Sequence, residues 1–131
     1  MRLYPPAWIM GRRALADDRL GGQAIPAGSV VAICPYTVHR HPSFWNDPER
    51  FDPLRFSAER TANRHAYAYI PFGAGPRLCI GNNFALMEAV LVLATLGQRY
   101  RFTLVPDHPV VVWPTVTLRP KYGIRAVLQA R

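Results

Sequence analysis

Apolar positions in this chain gather into short runs separated by prolines and glycines, with one longer exception. From Trp8 to Pro35 the pattern predicts strand and turn. An Asp17-Asp18 turn follows Arg13 to Ala16, Leu20-Gly21-Gly22 comes next, and Ile25-Pro26-Ala27-Gly28 forms another turn. Ser29 to Cys34 is apolar and β-branched, which predicts a buried strand with Cys34 in the core. The exception is the run from Phe84 to Leu96, apolar around most of a helical circumference and interrupted by Glu88. Such a helix is buried on most sides. Asn82 or Asn83 could cap its start and Gly97 could mark its end. The tail carries three β-like runs, Val110 to Val112, Val116 to Leu118 and Ile124 to Leu128, around Pro114, Pro120 and Gly123.

Between the strand region and the helix, His41 to Phe56 carries Pro42, Pro48 and Pro53 among Phe44, Trp45, Phe51 and Phe56. Prolines forbid a regular ladder while four aromatics demand burial, so an ordered irregular coil packed on something else is expected. Ser57 to His65 is polar and expected at the surface. At the start, Arg2-Leu3-Tyr4 runs into Pro5-Pro6, which would stop a helix arriving from upstream. The expected fold is α+β, mostly coil and short strands with one buried helix. It forms a single partial domain over residues 1–131, without internal repeats.

Composition narrows the classes. Half of the 131 residues are hydrophobic, so a packed core is expected rather than disorder. Thirteen prolines, about twice the usual share, argue against many long helices. The net charge of +8 is carried almost wholly by arginine, with Lys121 the single lysine. Arginine suits planar anions, carboxylate or phosphate. The arginines are scattered rather than clustered and no nucleic-acid module is visible, so a basic nucleic-acid binder ranks low. Neither an apolar signal region nor a membrane-length apolar run is present. Two distant cysteines, Cys34 and Cys79, form no zinc pattern. These features predict a cytoplasmic location with reduced thiols and no membrane segment.

The candidate chemistry sits in PFGAGPRLCIG, residues 71 to 81. Cys79 lies just before the apolar helix, where free backbone N–H groups and the helix dipole favour negative charge and hence a thiolate. Gly73, Gly75 and Gly81 permit tight turns and the close approach of a large flat object. Phe72 could wall the sulfur from water, and Arg77 could pair with an anion. A buried structural cysteine and a redox-sensing cysteine are the alternatives on these residues alone.

The whole string resembles the haem-ligand loop FxxGxRxCxG of the cytochrome P-450 (haem-thiolate monooxygenase) family, with Phe72, Gly75, Arg77, Cys79 and Gly81 at every fixed position. Arg2 resembles the end of that family's E-x-x-R helix, whose glutamate would lie before Met1. FDPLRF, with Arg55, resembles its P-x-R-F segment. The resemblance implies the C-terminal third of a largely α-helical enzyme, with the E-x-x-R helix cut before residue 1. It implies haem b (iron protoporphyrin IX), with Cys79 as axial thiolate ligand of the iron. It also implies propionates facing Arg77 and Arg12, and a buried triad of Arg2, Arg55 and the absent glutamate. Arg13 could replace Arg12, and surface pairing of Arg12 with Asp17 or Asp18 is the alternative. Ala7 to Ile9 and the turn near Val116 resemble substrate-lining segments. His39 and His41 are expected to be structural, because Cys79 fills the ligand position.

The implied activity is insertion of one oxygen atom of O2 into a hydrophobic small molecule. The implied electron donor is a flavoprotein or ferredoxin. The HRHPSFW and FDPLRF stretches look more like those of fatty-acid-hydroxylating members than of compact camphor-type ones. The alternative is a non-enzymatic truncated remnant that binds haem weakly or not at all, since the oxygen-activating helix of the family lies upstream of everything in this chain.

Overall fold

A computed structural model describes residues 1–131. The chain divides into two compact units, Met1–Gly73 and Ala74–Arg131.

In the first unit, strand β1 (Met10–Arg13) pairs antiparallel with β4 (Val30–Ile33), Met10 opposite Ile33 and Arg13 opposite Val30. Between them β2 (Asp18–Leu20) and β3 (Gln23–Ile25) form a tight hairpin, Leu20 opposite Gln23. Its two-residue loop is Gly21-Gly22, at φ 56° and 83°. Positive φ at both loop positions matches the right-handed twist of a hairpin, and glycine adopts it at no steric cost. Asp18 therefore belongs to a strand rather than to a turn. Asp17 is spent on the second expected turn, its carboxylate accepting from the Ala27 N–H at 2.8 Å.

The expected buried strand is half-buried. In β4 alternate residues are exposed, Val30 among them, because the ribbon is only two strands wide. Cys34 stands just beyond it, at the cap of the short helix α1 (Pro35–Val38), half-buried, with its Sγ donating to the Trp8 carbonyl at 3.2 Å. Pro35 opens α1, where a missing N–H costs nothing.

The irregular coil expected over 41–56 is present, but of its four aromatics only Trp45 is buried, at 2% exposure. Its indole N–H donates to the Ala68 carbonyl at 3.2 Å. Phe56 and Tyr69 pack around it, and two guanidinium groups lie over its ring, Arg64 at 4.3 Å and Arg2 at 5.0 Å. Asp52 caps a 3-10 turn over Pro53–Phe56, and Ser57 caps the one-turn helix α2 (Ala58–Thr61) at the exposed surface. The core of this unit is Trp45, Ala68 and Ile70 together with His39.

The second unit begins with a 3-10 turn, Gly75–Arg77, and continues into α3 (Asn82–Arg99). The helix is longer than its apolar run. Gly81 occupies the cap position, while the Asn82 side chain accepts from the Asn83 N–H at 2.7 Å. Gly97 lies inside the helix, which ends when Tyr100 turns extended. A glycine does not end a helix whose next turn still closes its hydrogen bonds. The tail forms two ribbons: β5 (Tyr100–Leu104) with β8 (Ala126–Ala130), and β6 (Val112–Pro114) with β7 (Leu118–Pro120). The predicted strands are shifted by about two residues and β5 was not expected. Pro114 and Pro120 fall within strands because every strand of a two-stranded ribbon is an edge, with N–H positions that need no partner.

The burial expected of α3 is not found. None of its residues is buried, and Phe84, Met87, Val90 and Leu93 are all more than half exposed. Its apolar circumference requires a cover that residues 74–131 do not supply.

Candidate functional site

The cysteine loop is built by local geometry. Gly75 sits at φ +66°, a conformation strained for any residue with a side chain, and no heavy atom lies within 4 Å of where a Cβ would stand. The 3-10 turn that follows is closed by the Leu78 N–H donating to the Gly75 carbonyl at 3.0 Å. It delivers Cys79 immediately ahead of α3, where the Cys79 carbonyl accepts from the Asn82 N–H at 3.4 Å. The thiol is free and exposed. A Cβ on Gly81 would stand 3.9 Å from Sγ, in ordinary contact with the sulfur. Ile80, fully exposed, and Leu78, half exposed, flank the cysteine with apolar surface.

Arg77 is exposed and takes part in neither of the structure's ion pairs, Arg40–Glu49 at 2.7 Å and Arg60–Asp52 at 2.8 Å. The loop thus presents a soft sulfur donor, apolar flanks, clearance at glycine and an uncommitted guanidinium. That donor set fits an iron porphyrin, which is flat and apolar and bears two carboxylates.

The remaining expected residues lie in the first unit. Phe72 is half-buried in the bend between Pro71 and Gly73. Arg12 is exposed on β1, its Nη1 donating to the neighbouring Gly11 carbonyl at 2.8 Å. Asp17 and Asp18 are not its partners, so the surface pairing considered for Arg12 is absent.

Arg2 and Arg55 are buried, as the salt-bridge resemblance requires. Arg2 donates to the carbonyls of His39 at 2.8 Å and Arg50 at 3.0 Å. Arg55 donates to those of Asn46 and, at 2.9 Å, Asp47. Desolvation, and then the nearby Arg55 and Arg40 charges, lower the Arg2 pKa. Arg55 takes part in no ion pair, and its Nε is buried without a hydrogen-bond partner. A buried donor left unpaired is costly.

His39 is structural, as expected, and more central than its sequence suggests. It is fully buried. Nε2 accepts from the Ile70 N–H at 2.9 Å, so the ring proton resides on Nδ1, which donates to the Arg2 carbonyl at 3.1 Å. Burial, chiefly, depresses its pKa to about 4. Arg64 was missed: it lies in a segment expected to be exposed, yet its guanidinium packs over Trp45 and Phe56. Nothing local marks it, because both rings come from an earlier stretch.

Comparison with known proteins agrees with the loop. The cytochrome P450 family model matches residues 1–124. Cytochrome P450 132 of Mycobacterium tuberculosis is 43% identical over 130 residues, covering 99% of this chain and 28% of that protein. Rat cytochrome P450 4B1 is 43% identical over 129 residues, 98% of this chain and 25% of its own length. Among solved structures, the retinoic acid-bound cyanobacterial CYP120A1 superposes with a TM-score of 0.93 at 34% identity. That match covers 99% of this chain and 30% of that one. The chain thus spans little more than a quarter of the curated relatives it matches, and no helix in it is long and apolar enough to cross a membrane. With every fixed position of the cysteine loop filled and the family model matched over nearly the whole length, the chain belongs to the cytochrome P450 family.

Proposed function

We propose that this chain supplies the haem-binding C-terminal part of a monooxygenase acting on a hydrophobic small molecule, with Cys79 as the axial thiolate ligand of haem iron. The observation that carries the reading is the loop itself: a free, exposed cysteine ahead of α3, bracketed by Gly75 at positive φ and Gly81 beside the sulfur. Cys79 would hold the iron, Arg77 and Arg12 would take the propionates, and Phe72 would shield the sulfur. Gly75 and Gly81 would keep the backbone close. When bound, thiolate-ligated haem supplies oxidation with O2, the thiolate favouring O–O cleavage.

The chain's own residues bind, orient and exclude water. The sulfur lies where α3 begins, at the end of the helix whose dipole favours an anionic ligand. Leu78 and Ile80 lower the local dielectric once covered. Arg55 Nε, buried and unpaired, awaits an acceptor. The resemblance assigns that role to a glutamate outside these residues. Retinoic acid, bound to the cyanobacterial relative, is an apolar substrate-sized molecule of the class expected here. Electrons would come from a flavoprotein or ferredoxin.

The test is spectroscopic. Reduced, CO-treated whole protein should show the red-shifted Soret band of thiolate ligation, and Cys79→Ala should abolish it. A Cys79→Ala protein that kept the band would overturn the assignment.

A further inference from the structure

Outside the loop, the buried His39 is a polar group that the proposed function does not use. It lies just after α1, and its two ring nitrogens tie together residues far apart in sequence: Arg2 through a carbonyl and Ile70 through an amide. Ile70 is itself buried and immediately precedes PFGAGPRLCIG, nine residues ahead of Cys79. Its N–H has this imidazole as acceptor, so the start of the cysteine stretch is fixed by a side chain thirty-one residues upstream. The carbonyl of His39 accepts from Arg2 Nη1 at 2.8 Å, which closes the link to the N-terminal segment a second time.

We propose that His39 is a positioning residue for the cysteine loop: its neutral ring holds the Ile70 amide and so fixes where the chain enters the stretch that carries Cys79. The consequence for haem rests on the function proposed above, whereas the clamp on Ile70 does not.

The clamp works in one protonation state. Protonation puts a second N–H on the ring, removes the Nε2 acceptor and leaves the Ile70 N–H facing a donor. The charged groups around the ring oppose that state. Arg2 and Arg40 are cations, and the ring of Tyr69, 5.2 Å away, is neutral. Arg40 is itself paired with Glu49. The folded protein therefore resists protonation that the unfolded chain accepts. At neutral pH both states hold an unprotonated ring. As pH falls below about 6.5 the unfolded chain gains a proton first, so stability declines toward the folded value of about 4.

Two variants of the whole protein separate positioning from bulk packing. His39→Gln keeps an acceptor and a donor but does not titrate. His39→Leu keeps the volume and loses both. Hydrogen exchange at the Ile70 amide, followed by mass spectrometry from pH 7 to 4.5, reads the clamp without reference to haem. We expect exchange at least about tenfold faster in His39→Leu at pH 7. In the parent we expect acid-dependent loss of protection beyond intrinsic exchange, and in His39→Gln near-parental protection without that acid component. Unchanged Ile70 protection in His39→Leu, or an identical acid component in His39→Gln, would overturn the clamp. If His39→Leu does not fold, His39→Gln alone decides. In haem-loaded protein the Soret band of His39→Leu should shift or weaken, with rescue in His39→Gln. A parental band in a folded His39→Leu would overturn the link to the loop. Loss of the thiolate assignment in the Cys79→Ala experiment would leave the exchange result standing.

Discussion

Arg77 illustrates how little a single residue's surroundings need to contain before its role is testable. Its guanidinium is exposed and forms no ion pair, two positions before a free thiol. Charge-assisted bonds to a desolvated carboxylate contribute about 1.5–3 kcal/mol. Arg77→Ala should therefore weaken haem retention about tenfold or more, with no comparable loss of folding stability because the side chain anchors nothing else. Transfer of haem to a scavenging globin measures it, and equal loss rates for variant and parent would remove Arg77 from the site. Arg12 is the second candidate, bonded only to its neighbour's carbonyl, and should give a smaller effect in the same assay. Arg77 was legible as a candidate in the sequence because the five fixed positions of the loop lie within ten residues. His39 was legible only as structural. Its partners are thirty-one and thirty-seven residues away, and no local pattern records them.

At the scale of elements, the glycines of the loop divide by backbone conformation. Gly75 at φ +66° has open space around it, so Gly75→Ala should destabilise the whole protein by about 1 kcal/mol through strain alone. Gly81 sits at φ −88°, which any residue adopts, and a Cβ there would be in ordinary contact with Cys79 Sγ. Gly81→Ala should fold as well as the parent. Urea midpoints for the two variants check this, and equal midpoints would show that the Gly75 conformation relaxes without strain. Element types followed from local signals where these were strongest: the strand-and-turn pattern of 8–35, and the apolar run that became α3. Boundaries did not. Asn82 lost the cap to Gly81, Gly97 was absorbed into the helix, and the tail strands moved by about two residues. Hydrogen-bond registers between distant strands set the limits of the tail strands, and a one-strand pattern does not contain them.

For the molecule as a whole, the apolar circumference of α3 is the dominant fact. Phe84, Met87, Val90, Leu91 and Leu93 are each more than half exposed, a contiguous apolar surface that invites association. Expressed as these 131 residues alone, the chain should bind a hydrophobic dye, aggregate with concentration and fail as a monooxygenase when given haemin and an electron donor. Arg2 and Arg55 would also remain buried without an ion-pair partner, a costly arrangement. Product formation from a fatty acid at about 10 s⁻¹, the median for enzymes, would overturn this expectation.

The sequence by itself determined the cysteine loop, the family the chain belongs to and the existence of a long apolar helix. Each of these is written in residues close enough to interact through the backbone they share. Tertiary structure alone decided what is buried. It chose Trp45 from four candidate aromatics and set Arg64 against its ring. It enclosed His39 between Arg2 and Ile70, and it left α3 exposed within its own unit. Burial depends on which distant segments arrive at the same place, and hydrophobicity states only that a side chain gains by being covered, not what covers it.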